Sequence, residues 1–291
     1  MHRRSCRRIL VFLAAFLFLA GQAFAASKGL LWEVPGKGCT VWLLGSIHVA
    51  DASLYPLAPA IGNALASSEF LVVEADITAA LSPEAAKLML KAQYPAGQSL
   101  HIDLSDKTFR AFKEQGFDLE KYKGFRPWFV LMHMGQEKLG ELGFDPAYGV
   151  DLQLITLARQ QGKQLKELEG IVQQLKQLQA IADPDPERYM SYMLTDLASL
   201  EQDMHTLLDA WKRGDAMQLE TQLFRDLKQH PETRPFFDAM FFERDKTMAV
   251  KILDYLASGH NHLVVVGSGH LVGPGSIVEL LENSGYHPVR R

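Results

Sequence analysis

The chain is 291 residues long, with 30 lysines and arginines against 34 aspartates and glutamates, a formal net charge of −4 and two cysteines. That balance gives no electrostatic footprint for nucleic acid or an anionic membrane surface. Two cysteines, Cys6 and Cys39, supply neither a disulfide framework nor a thiolate metal cluster.

The first residues read as a targeting segment. Arg3, Arg4, Arg7 and Arg8 precede an apolar run, Ile9–Ala20, shorter than the roughly 20 residues that span a bilayer. Ala23-Phe24-Ala25 then has the small-x-small pattern of a cleavage site. Residues 1–25 are therefore expected to be an export signal, with an uncleaved anchor as the competing reading. The mature chain, 26–291, is expected to be periplasmic or secreted, without a transmembrane helix and with Cys39 as its one thiol.

Beyond the signal, Leu30–Val34 and Cys39–Leu44 flank Pro35-Gly36-Lys37-Gly38, which is hairpin chemistry. A helix is expected from Pro56 to Ser67, then a strand from Phe70 to Asp76, apolar until it ends in Glu74 and Asp76. Next comes a helical region. Ser82 and Ser105 read as N-caps, the second for a helix to Gln115, and Pro127–Leu142 and a segment from Tyr148 to Gln161 read as further helices. Gln164–Leu168 is a short strand, and Ile171, Leu175, Leu178 and Ala182 recur at helical spacing. Asp183-Pro184-Asp185-Pro186 breaks the chain before two more apolar stripes, Leu197 to Trp211 and Ala249 to Leu256, which read as core packing. His262–Val266 returns to strand, Pro274–Asn283 to helix and Gly285–Val289 to a last strand. The order predicts an α/β fold. Its central β-sheet is built from N- and C-terminal strands, with flanking helices and a large helical middle region covering the sheet. A division into two domains near Asp183 is the alternative, but a sheet drawn from both chain ends argues against it.

Two stretches carry the chemistry. Gly45-Ser46-Ile47-His48 and Gly267-Ser268-Gly269-His270 each follow an apolar strand and present a histidine. Ligands collect where parallel strands end, so the pair suggests one shared site, and histidine is the commonest metal ligand. A lone histidine after a strand is more often structural; two matching ones shift that balance. Two imidazoles need a carboxylate to hold manganese, iron, cobalt or zinc. Glu74 is the best candidate, because its strand is expected beside the His48 strand; a lysine ion pair is its alternative. Asp76 and Asp51 are weaker candidates, and Asp51 could instead cap a helix or orient His48. Arg244 is the arginine favoured to stabilise developing negative charge, a surface salt bridge being its competing reading. No His-Glu-x-x-His, Gly-x-Ser-x-Gly or P-loop pattern is present.

These residues resemble a known family. Leu43–Asp51, Leu71–Asp76, Glu243-Arg244-Asp245 and Val266–Gly273 look like the TraB/GumN family, whose animal relatives are the Tiki metalloproteases that act on Wnt ligands. Arg126-Pro127-Trp128, Gly149-Val150-Asp151, Leu168-Glu169 and Gln174 support the likeness, which runs from about Gly29 to Val289. Asp245 stands where the family usually has asparagine, and Gly170 where it often has threonine. The resemblance implies a fold similar to the erythromycin-esterase and haem-binding ChaN-like group (EreA/ChaN-like). It also implies an exported, metal-dependent peptidase of a Gram-negative bacterium that acts on a peptide or protein. His48, Glu74 and His270 would hold a divalent manganese, cobalt or zinc ion, with Glu74 and Arg244 as the catalytic groups. The alternatives are a non-catalytic periplasmic protein binding a haem-like ligand, a metal-free hydrolase using histidine as base with Glu74, and a degenerate interaction protein.

Overall fold

The computed structural model describes residues 26–79 and 82–291. The expected export signal, residues 1–25, lies outside the described residues. The strands are β1 (Leu30–Pro35), β2 (Thr40–Ser46), β3 (Phe70–Val73), β4 (Gln164–Glu167), β5 (His262–Gly267) and β6 (Val289–Arg290). They form one mixed sheet in the order β4-β3-β5-β2-β1-β6. The hairpin pairs β1 with β2 antiparallel, whereas β2, β5, β3 and β4 run parallel. The α/β architecture expected from the sequence is what the chain adopts, and strands from both ends build its centre.

The expected neighbour of β2 requires correction. Glu74 follows a strand that pairs with β5 and β4, not with β2. The last long strand of the chain slides between the two early ones. The composition of β5 accounts for this: Leu263 to Val266 are all 0% exposed, an apolar run with no polar face, which suits a parallel strand covered on both sides. The last strand is also shorter than expected, because Pro288 has no N–H for a ladder and pairing with β1 begins at Val289. The early helix starts later than expected, with Pro59 at its first turn, and the late one begins at Ile277 behind a Ser276 cap.

Ser82 and Ser105 cap their helices, each hydroxyl accepting a backbone N–H. The helical middle is more than a cover. Helices over Pro83–Leu90, Pro127–Glu141, Ile171–Ala182 and the start of Pro186–Arg213 enclose a second apolar core around Phe112, Trp128 and Met190. That core contains Leu175 and Ala182 from before the Asp183 breaker and Tyr189 and Leu197 from after it, so packing is not divided there. The helix Pro186–Arg213 has 28 residues, about 42 Å at 1.5 Å per residue. Its first half packs in the second core, and its end carries Leu208 and Trp211 into the sheet core. Among the described residues, no helix is long and apolar enough to cross a membrane.

Candidate active site at the strand ends

His48, Glu74 and His270 all lie just past the C-terminal ends of β2, β3 and β5, three adjacent parallel strands. Gly267, the last residue of β5, sits among them. A Cβ there would lie 3.2 Å from His48 Nε2, 3.4 Å from Glu74 Oε1 and 3.7 Å from His270 Cδ2. The three side chains therefore converge on space that only glycine leaves open.

Each histidine is held by a carboxylate. His48 Nδ1 lies 2.9 Å from Asp151 Oδ2, and His270 Nδ1 lies 2.6 Å from Asp245 Oδ1. Among the described residues, no hydrogen bond engages either Nε2. This is the arrangement in which an outer carboxylate fixes the ring and leaves Nε2 free for a ligand. Asp151 is placed by close backbone docking. Val150 N–H donates to Ile47 O at 3.0 Å, and a Cβ on Gly149 would come within 2.2 Å of the His48 carbonyl oxygen. The motif serines brace the same corner: Ser46 Oγ donates to Asp151, and Ser268 Oγ donates to Ser46 O.

Asp51, considered from the sequence as an orienter of His48, instead accepts the Ser53 N–H and caps a short turn. Asp76 pairs with Arg159 at 2.6 Å, away from the histidines. Glu74 is gripped from three sides. Its Oε1 accepts the Gly267 N–H at 2.6 Å, and its Oε2 accepts from Arg244 at 2.5 Å and Gln174 at 3.0 Å. Arg244 is buried, so the surface salt bridge considered for it is absent. It spans Glu74 and Glu169, and its remaining terminal nitrogen donates to Met240 O at 3.0 Å. It leaves a single turn of π-helix, Asp238–Phe242, a feature frequent at functional sites. Glu169 and Gly170 donate their N–H groups to Glu74 O, each at 2.9 Å, so the exit of β4 follows the exit of β3.

The charges are strongly coupled. Burial alone would raise the Glu74 carboxyl, but His270, His48 and Arg244 outweigh it and hold Glu74 down to about 2. The Asp151 carboxylate pulls the His48 imidazole up to about 9. The His48 side chain is 60% exposed, so solvent screens that attraction. Burial pushes Asp245 upward, against the pull of His270.

The residues whose roles the sequence did not disclose are Asp151, Glu169, Gln174 and Asp245. Three of them, Asp151, Gln174 and Asp245, share a signal. Each sits in the opening turn of a helix, Val150–Gln160, Ile171–Ala182 or Glu243–Ala257, and those turns abut the strand ends.

Among the described residues, no group of three or more histidine, cysteine, aspartate or glutamate side chains is already arranged as a metal-binding set. The donor chemistry nevertheless suits one. Two imidazole nitrogens and a carboxylate oxygen are the donors of an N/O-binding divalent ion. Glu74 Oε1 is 3.8 Å from His270 Nε2, near the roughly 3.4 Å that separates two tetrahedral donors about 2.1 Å from one ion.

This chain belongs to the TraB/PrgY/gumN family, whose model matches residues 30–290. It is also similar to the uncharacterized protein YbaP of Escherichia coli (strain K12), at 25% identity over 246 residues, covering 82% of this chain and 86% of that protein. The same figures hold for YbaP of Shigella flexneri. No solved structure gives a significant match, and the likeness to the erythromycin-esterase and ChaN-like group stays an expectation of the sequence.

Proposed function

We propose that this protein is an exported, divalent-metal-dependent hydrolase acting on peptide bonds, with His48, His270 and Glu74 as ligands. The observation that carries the reading is the pair of Asp–His couples whose free Nε2 atoms face an anionic glutamate across Gly267. When bound, the ion would polarise the scissile carbonyl and acidify a water. The chain's own residues do the rest. Asp151 and Asp245 hold the imidazoles with Nε2 outward. Glu74, kept ionised by its neighbours, is too weak a base to take a proton well and serves as a fixed negative charge. Arg244 and Gln174 hold Glu74 in place. Arg244 has its donors committed to two carboxylates and a carbonyl, so we assign it to positioning rather than to the oxyanion.

The committed Glu74 oxygens also support a second reading, a metal-free hydrolase in which His48, backed by Asp151, transfers the proton. Metal content and peptide cleavage, measured on the mature protein before and after chelation, separate the two. One bound ion and activity restored by manganese, cobalt or zinc support the first. Cleavage indifferent to chelation supports the second. A protein that binds no ion and cleaves nothing, but develops a Soret band on haem titration, is a ligand-binding protein.

Two further results are expected. Ion binding must displace the proton that Asp151 stabilises on His48, so affinity rises with pH through neutrality and levels off near the raised pKa of about 9. Titrations with manganese at stepped pH check the sign; a pH-independent affinity removes His48 from the ligand set. Gly267→Ala places a methyl group where the reacting carbonyl must sit. Cleavage should fall about a hundredfold or more, as for misplacement by about 1 Å, with the melting temperature little changed because the backbone there has negative φ. A fully active Gly267→Ala protein would move the reaction away from this space.

A further inference from the structure

A concavity of about 360 Å³ lies between the helix Pro186–Arg213 and the segment 226–237. Its walls are aromatic: Tyr189, Tyr192, Phe236 and Phe237. Its charged lining is acidic, with Asp196, Asp226 and Glu232 beside one histidine, His230, and the hydroxyls of Ser191, Thr195 and Thr233. His230 pairs with Glu232 at 3.4 Å. Arg225 contacts Asp226 at 3.2 Å but spends its terminal nitrogens on Asp203, at 3.0 and 3.1 Å. Among the described residues, no ion pair engages Asp196. Asp196 is exposed, so solvent moderates the effect of the surrounding protein and then of Asp226, which raise its carboxyl toward about 6.

The cleft adjoins the strand-end site. Phe237 stacks on Phe241 at 5.9 Å, and Phe241 lies 5.4 Å from the His270 ring.

We propose that this cleft is a substrate subsite for a lysine or arginine side chain of the peptide cleaved over Gly267. The inference rests on the peptide-hydrolase reading and adds its specificity. Aromatic walls accept the aliphatic stem; the chain's own Arg188 lies over the Tyr192 ring at 5.4 Å, so the incoming cation is drawn by the remaining rings and by the carboxylates. The incoming cation supplies the ion-pair partner that Asp196 lacks. An apolar side chain would desolvate that carboxylate without compensation, and an acidic one would be repelled.

Binding and cleavage are tested separately. For binding, fluorescein-labelled Ala-Ala-Arg-Ala-Ala-amide is titrated by anisotropy against the mature His48→Ala protein, which does not consume it, at pH 7.5 and low salt. Its norleucine and glutamate counterparts are titrated in parallel. The arginine peptide should bind about tenfold tighter than the norleucine one. The preference should disappear in Asp196→Asn/Asp226→Asn and weaken in Tyr192→Ala, with melting temperatures recorded for each. Asn at 196 relieves an already crowded acid, so folding should survive. Equal affinity for the three peptides, or a preference untouched by the double substitution, overturns the subsite. For cleavage, the wild-type enzyme should favour basic substrates through KM rather than kcat. Cleavage without that preference also overturns the subsite. If nothing is cleaved, the hydrolase reading fails, and the binding titration still decides whether the cleft takes a cation.

Discussion

Alanine at His48 should remove metal retention and peptide cleavage at a modest cost in stability, whereas alanine at His270 should remove both and destabilise the protein more. The two imidazoles play matched roles in very different surroundings. The His48 side chain is 60% exposed, and Asp151 keeps its bond from Ser46 Oγ when the ring is gone. Asp151 itself is only 10% exposed, so its Oδ2 loses its partner at a cost of about 1–3 kcal/mol. The His270 side chain is 4% exposed and Asp245 1%, so removing the ring strands a buried carboxylate, at a cost of about 3–5 kcal/mol. Losing an electrostatic effect of several kcal/mol slows cleavage about a thousandfold or more in either variant. Urea melts, metal content and cleavage rates on the same three preparations check all three statements. Full metal affinity in His48→Ala would dismiss the ligand assignment.

Arg244→Met should rank with His270→Ala as the most destabilising changes at the site. The guanidinium faces two carboxylates with little solvent, Glu74 at 7% and Glu169 at 1% side-chain exposure. Removing it leaves two like charges together without a counter-ion, again about 3–5 kcal/mol. Lysine keeps the charge but not the fork that bridges both partners, so Arg244→Lys recovers only part of the loss. Glu169→Gln added to Arg244→Met removes one stranded charge and should recover part by the opposite route. The sign of the pH dependence is fixed. In the wild type, Glu74 is depressed from 4.5 to about 2, so its stabilising contribution is present above about pH 4.5 and lost as pH falls toward 2. In the variant, acid protonates the stranded carboxylates and relieves the penalty, so the two stabilities converge on acidification. A gap that widens in acid would contradict the clamp.

Much of this was legible in the residues. Turn chemistry between two apolar runs marked the hairpin, Ser82 and Ser105 marked helix starts, and the two glycine-histidine corners marked the site, because each of these signals is local. Sheet order is not local. The apolar run of β3 does not say which strand it meets, and it meets β5 rather than β2. The same distinction separates Asp51 from Asp151. The first is three residues from His48 and bonds locally to Ser53, while the second is brought from 103 residues away by a glycine that lets a helix start touch the strand end. A polar residue in the first turn of a helix reads as a cap until packing gives it another partner.

The central position of β5 has a consequence for biogenesis. The strand that joins the two halves of the sheet begins at residue 262 of 291. Until it is made, β2 and β3 have no common neighbour, and His48 and Glu74 have no shared site. Such long-range closure is the slow kind of folding step. A nascent or prematurely terminated chain therefore lacks the assembled strand-end site, which can form only when synthesis is nearly complete.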